Sequence, residues 1–586
     1  MPNIKEAEMK KKFLATLLVL SLVLSLFAGC ASGGPYTVSF DGNYYGCEAY
    51  DDVTVDGGRK LEAPADPVRE GYVFLGWYQD AAMTVKWDFE KSKVQSDITL
   101  YALWDRDTGD AVSEPGGDKD FSTLKTAGSQ ENAYEYKTWF LPAMDGVNQP
   151  YVGDPMPYYE DGVYYIYYLK DGGDSYNHSI YLATTTDFVT YTEIDEPVLE
   201  ANRSGGQDSW IGTGSLVKVE EQYYLFYTGH TGASNMEFKE KIMVAVGSDP
   251  YSFEKVAEWY ITPPASLGQK NDFRDPQCYY DPETGLIHMT ITASQGNVAR
   301  ILKYTVSADL SEQHYDGIIF TNEVGNFWNL ECTDTFKIGD TWYVSYSAQD
   351  DTLWYASSDS QYGPYGEAKR LEGKLFYAAK HVEDGENSYM VGWARRSESA
   401  SSTQDVAAWG GNLVVQKIVQ TADGELALAP VDAIADQFTA RRALLTENSH
   451  VVVEAGSLYS YTDVFTCYER FMITGEFSFS GSGSFGLAFD YNGKQDKYKL
   501  ISISPSENKL ALYFNEGSTL IAEKEIALEA GRDYSFTYIQ EGSVGVFYID
   551  GVAALTVRIY GASGKPIMLF AENNTVVFTS LRQYTN

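Results

Sequence analysis

Residues 153–168 read GDPMPYYEDGVYYIYY, an acidic turn that leads into a tyrosine-rich, strand-like run. The same order of turn and strand recurs in four later segments, which begin GTGSLV at 212–217, RDP at 274–276, ECTDTF at 331–336 and FYAA at 376–379. Successive segments lie roughly 45–60 residues apart, which is long enough for a four-stranded blade, and no helical period competes with them. The repeats therefore predict an all-β chain with a five-bladed β-propeller over residues 136–435.

Three of these segments place a carboxylate at the start of their first strand: Asp154, Asp275 and Glu331. The innermost strand of every blade lines the central channel of a propeller, so we expect the three side chains to meet at one mouth. One Asp-Pro pair alone would indicate only a turn, but three acids at matching positions favour a shared site. Carboxylates that flank a glycosidic bond can cleave it, one as nucleophile or base and one as acid. The sequence therefore predicts a sugar-cleaving site.

Several motifs carry a resemblance to a known family: FRDP at 273–276, ECTDTF at 331–336, TGS at 213–215, FYAA at 376–379 and WGGNL at 409–413. Together they resemble glycoside hydrolase family 32, the fructan and sucrose hydrolases, over residues 136–586. The resemblance implies that Asp154 is the nucleophile, Asp275 the transition-state stabiliser and Glu331 the general acid/base. It implies an extracellular enzyme that releases fructose from levan, inulin, fructo-oligosaccharides or sucrose by a retaining double displacement.

The resemblance also implies substrate contacts around these acids. Arg274 is expected to hydrogen-bond sugar hydroxyls and to hold Asp275 ionised by its adjacent charge. Thr213 and Ser215 match the family's second-blade pattern and are expected to bind substrate. Four tryptophans are candidates for stacking on sugar faces, although tryptophan is equally common in the cores of blades: Trp210, Trp328, Trp393 and Trp409.

The first motif departs from the family pattern. The family usually has Asn before the Asp and Asn-Gly after the Asp-Pro, whereas this chain has Gly153 and Met156-Pro157. A Gln usually ends that hairpin, where this chain has Leu169. Two side-chain partners for a sugar are therefore expected to be absent, which affects the choice of substrate more than the chemistry.

Two other functions remain open. The arabinanases and xylosidases of family 43 also have five blades and an Asp-Pro in the first, so an arabinoside or xyloside hydrolase is the first alternative; their acid usually lies in Glu-Gly-Pro, which this chain lacks. The second alternative is a surface lipoprotein that binds carbohydrate without cleaving it. The intact set of three acids argues against a protein that only binds.

The N-terminal 30 residues have the order of an export signal. A basic start is followed by an apolar run from Phe13 to Phe27, too short for the about 20 residues of a comfortable membrane span. The run ends in Ala-Gly-Cys, which resembles a bacterial lipoprotein box and would make Cys30 the lipidated residue of a membrane-anchored, cell-surface protein. A plain cleaved signal is the alternative.

Residues 31–104 are expected to form a separate module. The runs YTVSFD at 36–41, PVREGYVFLGWY at 67–78 and DITLYALW at 97–104 closely resemble the internalin-type B-repeat, or Listeria–Bacteroides repeat, a small β-grasp-like module of bacterial surface proteins. Such a module is expected to act as a spacer or to contact cell-surface partners. Residues 105–135 are polar and contain Gly, Pro and Ser, as linkers do.

Residues 436–586 lack the repeated motif and contain alternating strands, which predict a C-terminal β-sandwich. Composition excludes other classes of protein. A net charge of −38 disfavours binding to nucleic acid, and five scattered cysteines and six histidines without paired spacing indicate neither a disulfide framework nor a zinc site. No Gly-rich phosphate loop is present, so no cofactor is expected.

Overall fold

The computed structural model describes residues 34–42, 50–69, 72–79, 85–106, 137–143, 149–171, 178–397, 406–490, 498–514 and 519–586. In these ranges the chain is almost entirely β, with a single four-residue α-helix, α1 (Asp432–Ala435), so the expected all-β class is confirmed. No helix in this part of the chain is long and apolar enough to span a membrane. The expected signal at 1–30, with Cys30, and nearly all of the expected linker at 105–135 lie outside the described residues.

The chain divides into two compact units, residues 1–111 and 112–586. The described part of the first unit is a four-stranded sheet made of β1 (Pro35–Asp41), β2 (Val53–Asp56), β3 (Tyr72–Tyr78) and β4 (Ile98–Arg106). The order is β2-β1-β4-β3, and β1 and β4 run parallel. One face buries a small core that includes Trp77, Trp87 and Trp104, and the Trp104 indole N–H donates to the Gly42 carbonyl oxygen over 2.7 Å.

In the second unit, residues 151–429 form twenty strands in four antiparallel sheets. The first strands are β5 (Tyr151–Glu160), β6 (Val163–Asp171), β7 (Ile180–Thr185) and β8 (Tyr191–Glu193). Three separate four-stranded sheets follow: β9 (Trp210–Val219), β10 (Gln222–His230), β11 (Glu240–Gly247) and β12 (Glu254–Ile261); β13 (Phe273–Asp281), β14 (Leu286–Gln295), β15 (Val298–Ser307) and β16 (Gln313–Thr321); and β17 (Leu330–Ile338), β18 (Thr341–Ala348), β19 (Leu353–Ser358) and β20 (Lys369–Glu372).

The last strands of this region join the first ones. They are β21 (Phe376–Glu383), β22 (Ser388–Ser397), β23 (Val406–Gln420) and β24 (Leu426–Ala429). Strand β23 pairs with β5 where Gly411 lies opposite Val152, so these four strands and β5–β8 form one eight-stranded sheet. A segment from the end of the region thereby closes onto its beginning.

The strands that carry the repeated motifs are β5, β9, β13, β17 and β21, called the inner strands below. Each contacts the next, and β21 contacts β5, so the five inner strands form a closed ring. The sheets are held together by apolar side chains packed between them; for example, Tyr167 and Leu182 of one sheet pack with Leu216 and Leu225 of the next. Burial of these side chains from water stabilises the ring.

Residues 440–585 form two further sheets. Their strands are β25 (Ala440–Arg442), β26 (Val451–Ala455), β27 (Ser460–Thr466), β28 (Arg470–Phe479), β29 (Phe485–Phe489), β30 (Lys499–Ser504), β31 (Lys509–Phe514), β32 (Thr519–Glu525), β33 (Tyr534–Glu541), β34 (Val544–Ile549), β35 (Ala553–Arg558), β36 (Pro566–Ala571) and β37 (Asn574–Thr585). One sheet has the order β25-β37-β28-β33-β34-β35, with β26 also on β37, and the other β27-β36-β29-β30-β31-β32. Both contribute to one apolar core that includes Phe477, Phe485 and Phe536.

Candidate active site

The inner strands are bulged at matching positions, and the bulges direct side chains into the ring. The pairing register shifts between Gly153 and Met156 in β5, between Arg274 and Gln277 in β13, and between Glu331 and Asp334 in β17. The bulged residues have positive φ angles, 39° at Asp154, 61° at Asp275 and 51° at Cys332. Bulges and non-glycine residues with positive φ are concentrated at functional sites.

A chain of hydrogen bonds links the backbones of the two aspartates. The Asp275 N–H donates to the Thr228 hydroxyl over 2.8 Å, and that hydroxyl donates to the Thr213 carbonyl over 3.1 Å. The Thr213 hydroxyl in turn donates to the Asp154 carbonyl over 3.3 Å. The two carboxylates are therefore held in register by fully buried threonines.

The three acids have different hydrogen-bond partners. Asp154 Oδ1 accepts the Trp393 indole N–H over 3.2 Å, and Asp275 Oδ2 accepts the Cys332 backbone N–H over 2.8 Å. Glu331 Oε1 pairs with Arg274 Nη2 over 2.9 Å, and Glu331 Oε2 accepts the Tyr377 hydroxyl. The Glu331 side chain is 31% exposed, whereas Asp275 is buried. Glu331 is therefore more accessible to solvent than Asp275.

The aspartates of the site carry strongly shifted pKa values. Burial, together with the negative charges of Asp275 and Glu331, raises the pKa of Asp154 to about 7. Burial raises the pKa of Asp275 to about 6, although the positive charge of Arg274 acts in the opposite direction. The expected effect of Arg274 on Asp275 is therefore present, but the cost of burying the charge outweighs it. Strong shifts from burial and a specific charge partner are typical of active sites.

Arg274 is held by carboxylates on three sides. Besides Glu331, its guanidinium lies 3.3 Å from Glu240 and 3.4 Å from Asp272. Glu240 also accepts the backbone N–H of Phe273 over 2.6 Å. Although burial opposes it, the hydrogen bond with His230 and the charge of Arg274 lower the pKa of Glu240 to about 2. Arg274 is therefore fixed at the mouth before any substrate binds.

The two candidate residues of β9 have different surroundings. Thr213 lies beside Asp154, as described above, whereas Ser215 is buried and its hydroxyl accepts the Cys278 N–H of β13 over 2.9 Å. Asp334 makes the equivalent link from β17, since its carboxylate accepts the His381 N–H over 2.7 Å. The structure thus gives Ser215 a role between neighbouring strands, and substrate contact by Thr213 and Ser215 stays a prediction.

Two of the four candidate tryptophans lie next to the acids. Trp393 is fully buried, donates to Asp154 and packs edge-on against Tyr377 at 5.6 Å between ring centroids. Trp409 is half-buried, lies 5.9 Å from the Trp393 ring and stacks on His178 at 4.3 Å. A Cβ atom added to Gly153 would lie 2.0 Å from the Trp409 ring. The glycine that departs from the family pattern is therefore required by the position of Trp409.

The other two tryptophans are exposed at the ends of inner strands. Trp210 begins β9 and its ring is 6.4 Å from that of His230, while Trp328 precedes β17 and is 6.0 Å from the Arg274 guanidinium. Their exposed fractions are 36% and 44%. Both suit contact with a bound sugar better than the fully buried Trp393 does, and that contact stays a prediction.

Three residues of the site were not identified from the sequence. Tyr377 belongs to the FYAA motif, which marked its strand but not its contact with Glu331. Glu240 begins a different strand of the second sheet, and no local pattern connects it with Arg274. Lys380, which follows the same FYAA motif, is buried in the ring. Within the described residues no cluster of His, Cys, Asp and Glu is arranged to hold a metal ion.

Comparison with known families gives two matches. Residues 147–430 match the family model described as the glycosyl hydrolases family 32 N-terminal domain. Residues 36–103 match the Listeria-Bacteroides repeat domain. Both resemblances expected from the sequence are thereby confirmed for these residues.

Individual relatives cover different parts of the chain. A sucrose-6-phosphate hydrolase of Escherichia coli is 23% identical over 422 residues, which cover 67% of this chain and 83% of that enzyme. A putative Gly-rich membrane protein of Evansella cellulosilytica is 29% identical over 178 residues, or 28% of this chain, and the chain spans only 20% of that relative. Among solved structures, the Bombyx mori GH32 beta-fructofuranosidase BmSUC1 has the same fold, with a TM-score of 0.58, 16% identity and coverage of 77% of this chain and 93% of that one.

Proposed function

We propose that this chain, which belongs to glycoside hydrolase family 32 through residues 147–430, releases fructose from β-fructosides such as levan, inulin, fructo-oligosaccharides or sucrose. The observation that carries the proposal is the grouping of Asp154, Asp275 and Glu331 at the bulges of three inner strands. Their contacts support one cluster: Asp275 accepts the N–H of Cys332, the residue after Glu331. Trp393, which donates to Asp154, packs against Tyr377, which donates to Glu331. Such a cluster suits a reaction that needs a nucleophile, a proton donor and a stabiliser of positive charge.

The proposed reaction has two steps. In the first, Asp154 attacks the anomeric carbon while Glu331 protonates the departing oxygen, which gives a fructosyl-enzyme and a free alcohol. In the second, Glu331 takes a proton from water, and the water releases fructose from Asp154. Two inversions give net retention of configuration.

The remaining contacts support this division of labour. Trp393 orients the Asp154 carboxylate through its indole N–H bond to Oδ1, which leaves Oδ2 for the attack. Asp275 accepts the Cys332 N–H with Oδ2, and its other oxygen would face the sugar. Hydrogen bonds from sugar hydroxyls to Asp275 would strengthen as positive charge develops on the ring. Tyr377 and Arg274 hold the Glu331 carboxylate from two sides, which fixes the direction of proton transfer.

The proposal includes a domain arrangement. Residues 136–435 form a five-bladed β-propeller, supported by the closed ring of inner strands, and residues 436–586 form a β-sandwich, supported by the core common to the last two sheets. Residues 31–104 form a β-grasp-like surface module, followed by a linker at 105–135. Residues 1–30 direct export and lipidation at Cys30, which would anchor the enzyme at the cell surface. Lipid labelling that persists in Cys30→Ala would contradict the anchor.

Release of sugar from a panel of sucrose, inulin, levan and arabinan tests the activity. We expect fructose from at least one fructoside, none from the Asp154→Asn variant, and no sugar from arabinan. Release of arabinose would favour the family-43-like alternative. No release from any substrate by a folded chain would favour a protein that binds carbohydrate without cleaving it.

A further inference from the structure

Lys380 is a buried lysine inside the ring of inner strands. It lies in β21, two residues after Ala378, which has a φ of 54° at a bulge equivalent to those that carry Asp154 and Asp275. Lys380 is 1% exposed. Along β21, Lys380 therefore lies just after the bulge that corresponds to those of Asp154 and Asp275.

The side chain of Lys380 reaches across this interior. Its ammonium group donates to the Gly214 carbonyl of β9 over 2.5 Å. In the ring, β21 and β9 are separated by β5, the strand of Asp154. Gly214 follows Thr213, whose hydroxyl bonds the Asp154 backbone. The ammonium group thus lies one residue farther along β9 than the contact that positions Asp154.

The charge of Lys380 has no close counter-ion. Within the described part of the chain, no carboxylate lies within ion-pair distance of its ammonium group, and its one hydrogen bond goes to a neutral carbonyl. A buried charge without a paired opposite charge is costly to fold around. Residues that carry such a cost are commonly kept for function.

The charge of Lys380 acts on five titratable groups of three strands. They are Asp154 of β5, Asp275 and Cys278 of β13, and Cys332 and Asp334 of β17. The lysine charge acts to lower the pKa of every one of these groups, against burial, which raises all five. The negative charge of Glu331 raises the pKa of both Asp154 and Asp275. The positive charge of Arg274 lowers the pKa of Asp275.

We propose that Lys380 is a positioning residue whose ammonium group, held across the ring by Gly214, favours the ionised forms of Asp154 and Asp275 against the cost of their burial. This rests on the proposed function, because it concerns the same carboxylates. Arg274 is engaged by Glu240, Asp272 and Glu331 at the mouth, so it is already shared among carboxylates on that side. Lys380 supplies positive charge from β21, where its bond to Gly214 holds the ammonium group next to Thr213, the residue that contacts the Asp154 backbone.

The Trp393 indole N–H provides a direct test, because it bonds Asp154 and its resonance reports the ionisation of that carboxylate. The chain has 11 tryptophans, so the signal can be assigned in ¹⁵N-tryptophan-labelled protein as the one lost in Trp393→Phe. In Lys380→Met and Lys380→Gln we expect the pH midpoint of this resonance to rise by about half a unit or more. Lys380→Arg keeps the charge, so its midpoint should lie closer to that of the wild type than the midpoints of the other two variants do.

Lys524→Met is the matched control. Lys524 is also buried and also donates to a backbone carbonyl, that of Arg370, but its charge acts on Glu372 and Glu425 rather than on the acids of the ring. We expect this variant to leave the Trp393 midpoint unchanged. An unchanged midpoint in folded Lys380→Met and Lys380→Gln, or an equal rise in Lys524→Met, would overturn the proposal.

Turnover gives a second readout. In Lys380→Met the acid limb of the pH profile of kcat/KM should move to higher pH together with the Trp393 midpoint. The loss of kcat/KM should be smaller at high pH than on the acid limb. Because the resonance does not depend on turnover, the two proposals can fail separately. A wild-type chain that cleaves no fructoside would refute the proposed function, and the Trp393 midpoint would still decide the role of Lys380.

Discussion

At the scale of single residues, the three carboxylates are distinguished by what surrounds them rather than by their type. Asp154 is held by an indole N–H, Asp275 by a backbone N–H, and Glu331 by a hydroxyl and a guanidinium. Trp393 bonds Oδ1 of Asp154, so Oδ2 is free of this contact, as the proposed nucleophile requires. The Tyr377 hydroxyl can donate a hydrogen bond to Glu331 or accept one from it, which suits a carboxyl group proposed to act first as an acid and then as a base.

Removal of either carboxylate that we propose to react, Asp154 or Glu331, should abolish most activity. We expect Asp154→Asn and Glu331→Gln each to lower kcat by about three orders of magnitude or more, at the upper end of what acid–base groups contribute. Asp275→Asn should lower kcat severely with a smaller effect on KM, because its contacts strengthen only in the transition state. Steady-state kinetics on the preferred fructoside checks this. Near-normal turnover in Asp154→Asn would show the assignment of the nucleophile to be wrong.

Asp154 should also make stability depend on pH. Its pKa rises from 3.8 to about 7 on folding, so between these values the folded chain binds more protons than the unfolded chain. Stability contributed by this group is therefore lost as pH rises through that window. We expect Asp154→Asn to raise the Tm more at about pH 8 than at about pH 4, measured by differential scanning fluorimetry. Asp161→Asn, at an exposed turn that also has positive φ, is the control and should shift the Tm equally at both pH values.

The space at the contact between Gly153 and Trp409 should hold a larger residue at position 153 only when the residue at position 409 is smaller. A Cβ at position 153 would overlap the Trp409 ring, so Gly153→Ala should displace either the indole or the neighbouring Asp154 and lower kcat/KM by about tenfold or more. The double variant Gly153→Ala/Trp409→Ala should recover part of that loss, because the overlap is removed. Gly456→Ala, where an added Cβ meets nothing, is the control. A double variant as poor as the product of the two single effects would show that the residues do not interact.

At the scale of elements, the repeated motifs predicted the inner strands well. All five quoted segments begin or lie within β5, β9, β13, β17 and β21, because a turn motif followed by alternation is a local signal. The three acids could be grouped in advance because all lie at the same turn of their segments, although the bulges match Asp154 and Asp275 with Cys332 and place Glu331 one residue earlier. Residues 147–430, which include all three acids, match the model of the family on which their roles were assigned.

Contacts between distant segments could not be read from the sequence. Glu240 meets Arg274 because neighbouring sheets pack together, and no local pattern marks Glu240. Trp409 belongs to a motif seen in the sequence, but it meets Gly153 only because β23 pairs with β5. In the C-terminal sheets, β28 pairs with β37 across about a hundred residues. An alternating strand looks the same whichever strand it pairs with, so alternation predicts that strands exist but not their order.

The segment that precedes the ring depends on one buried carboxylate. Glu541 of β33 is fully buried and accepts the backbone N–H groups of Lys137, Thr138 and Trp139, and it lies 3.8 Å from Arg470. Glu541→Ala would leave these donors unsatisfied and should lower the free energy of unfolding by about 3–5 kcal/mol.

Urea unfolding followed by tryptophan fluorescence measures this loss, and Glu541→Gln should lose less because it keeps an acceptor oxygen. Glu454→Ala, at an exposed position of β26, is the control and should change the midpoint little. A midpoint in Glu541→Ala equal to that of the control would mean that the segment is held by other contacts.

At the scale of the whole molecule, the C-terminal sheets support the ring that carries the acids. Arg558 of β35 is 1% exposed and donates to the Arg395 and Ala394 carbonyls of β22 and to the Asn412 side chain of β23. Strand β22 also carries Trp393, the partner of Asp154. The C-terminal sheets therefore help to position the site although they contribute none of the three acids.

The first unit, residues 1–111, should be dispensable for the chemistry. All three acids lie in the second unit, so a chain that begins between Lys119 and Glu131 should keep full turnover on a soluble fructoside. The limit is set by Trp139, which is 1% exposed and donates through its indole to the Val544 carbonyl over 3.1 Å. A chain that begins at Pro142 loses Trp139 and the contacts to Glu541, and should show a lower Tm and reduced expression of folded protein. Kinetics and thermal unfolding of the two truncated chains check this. A folded chain that begins at Glu131 but has lost most of its activity would show that the first unit takes part in catalysis.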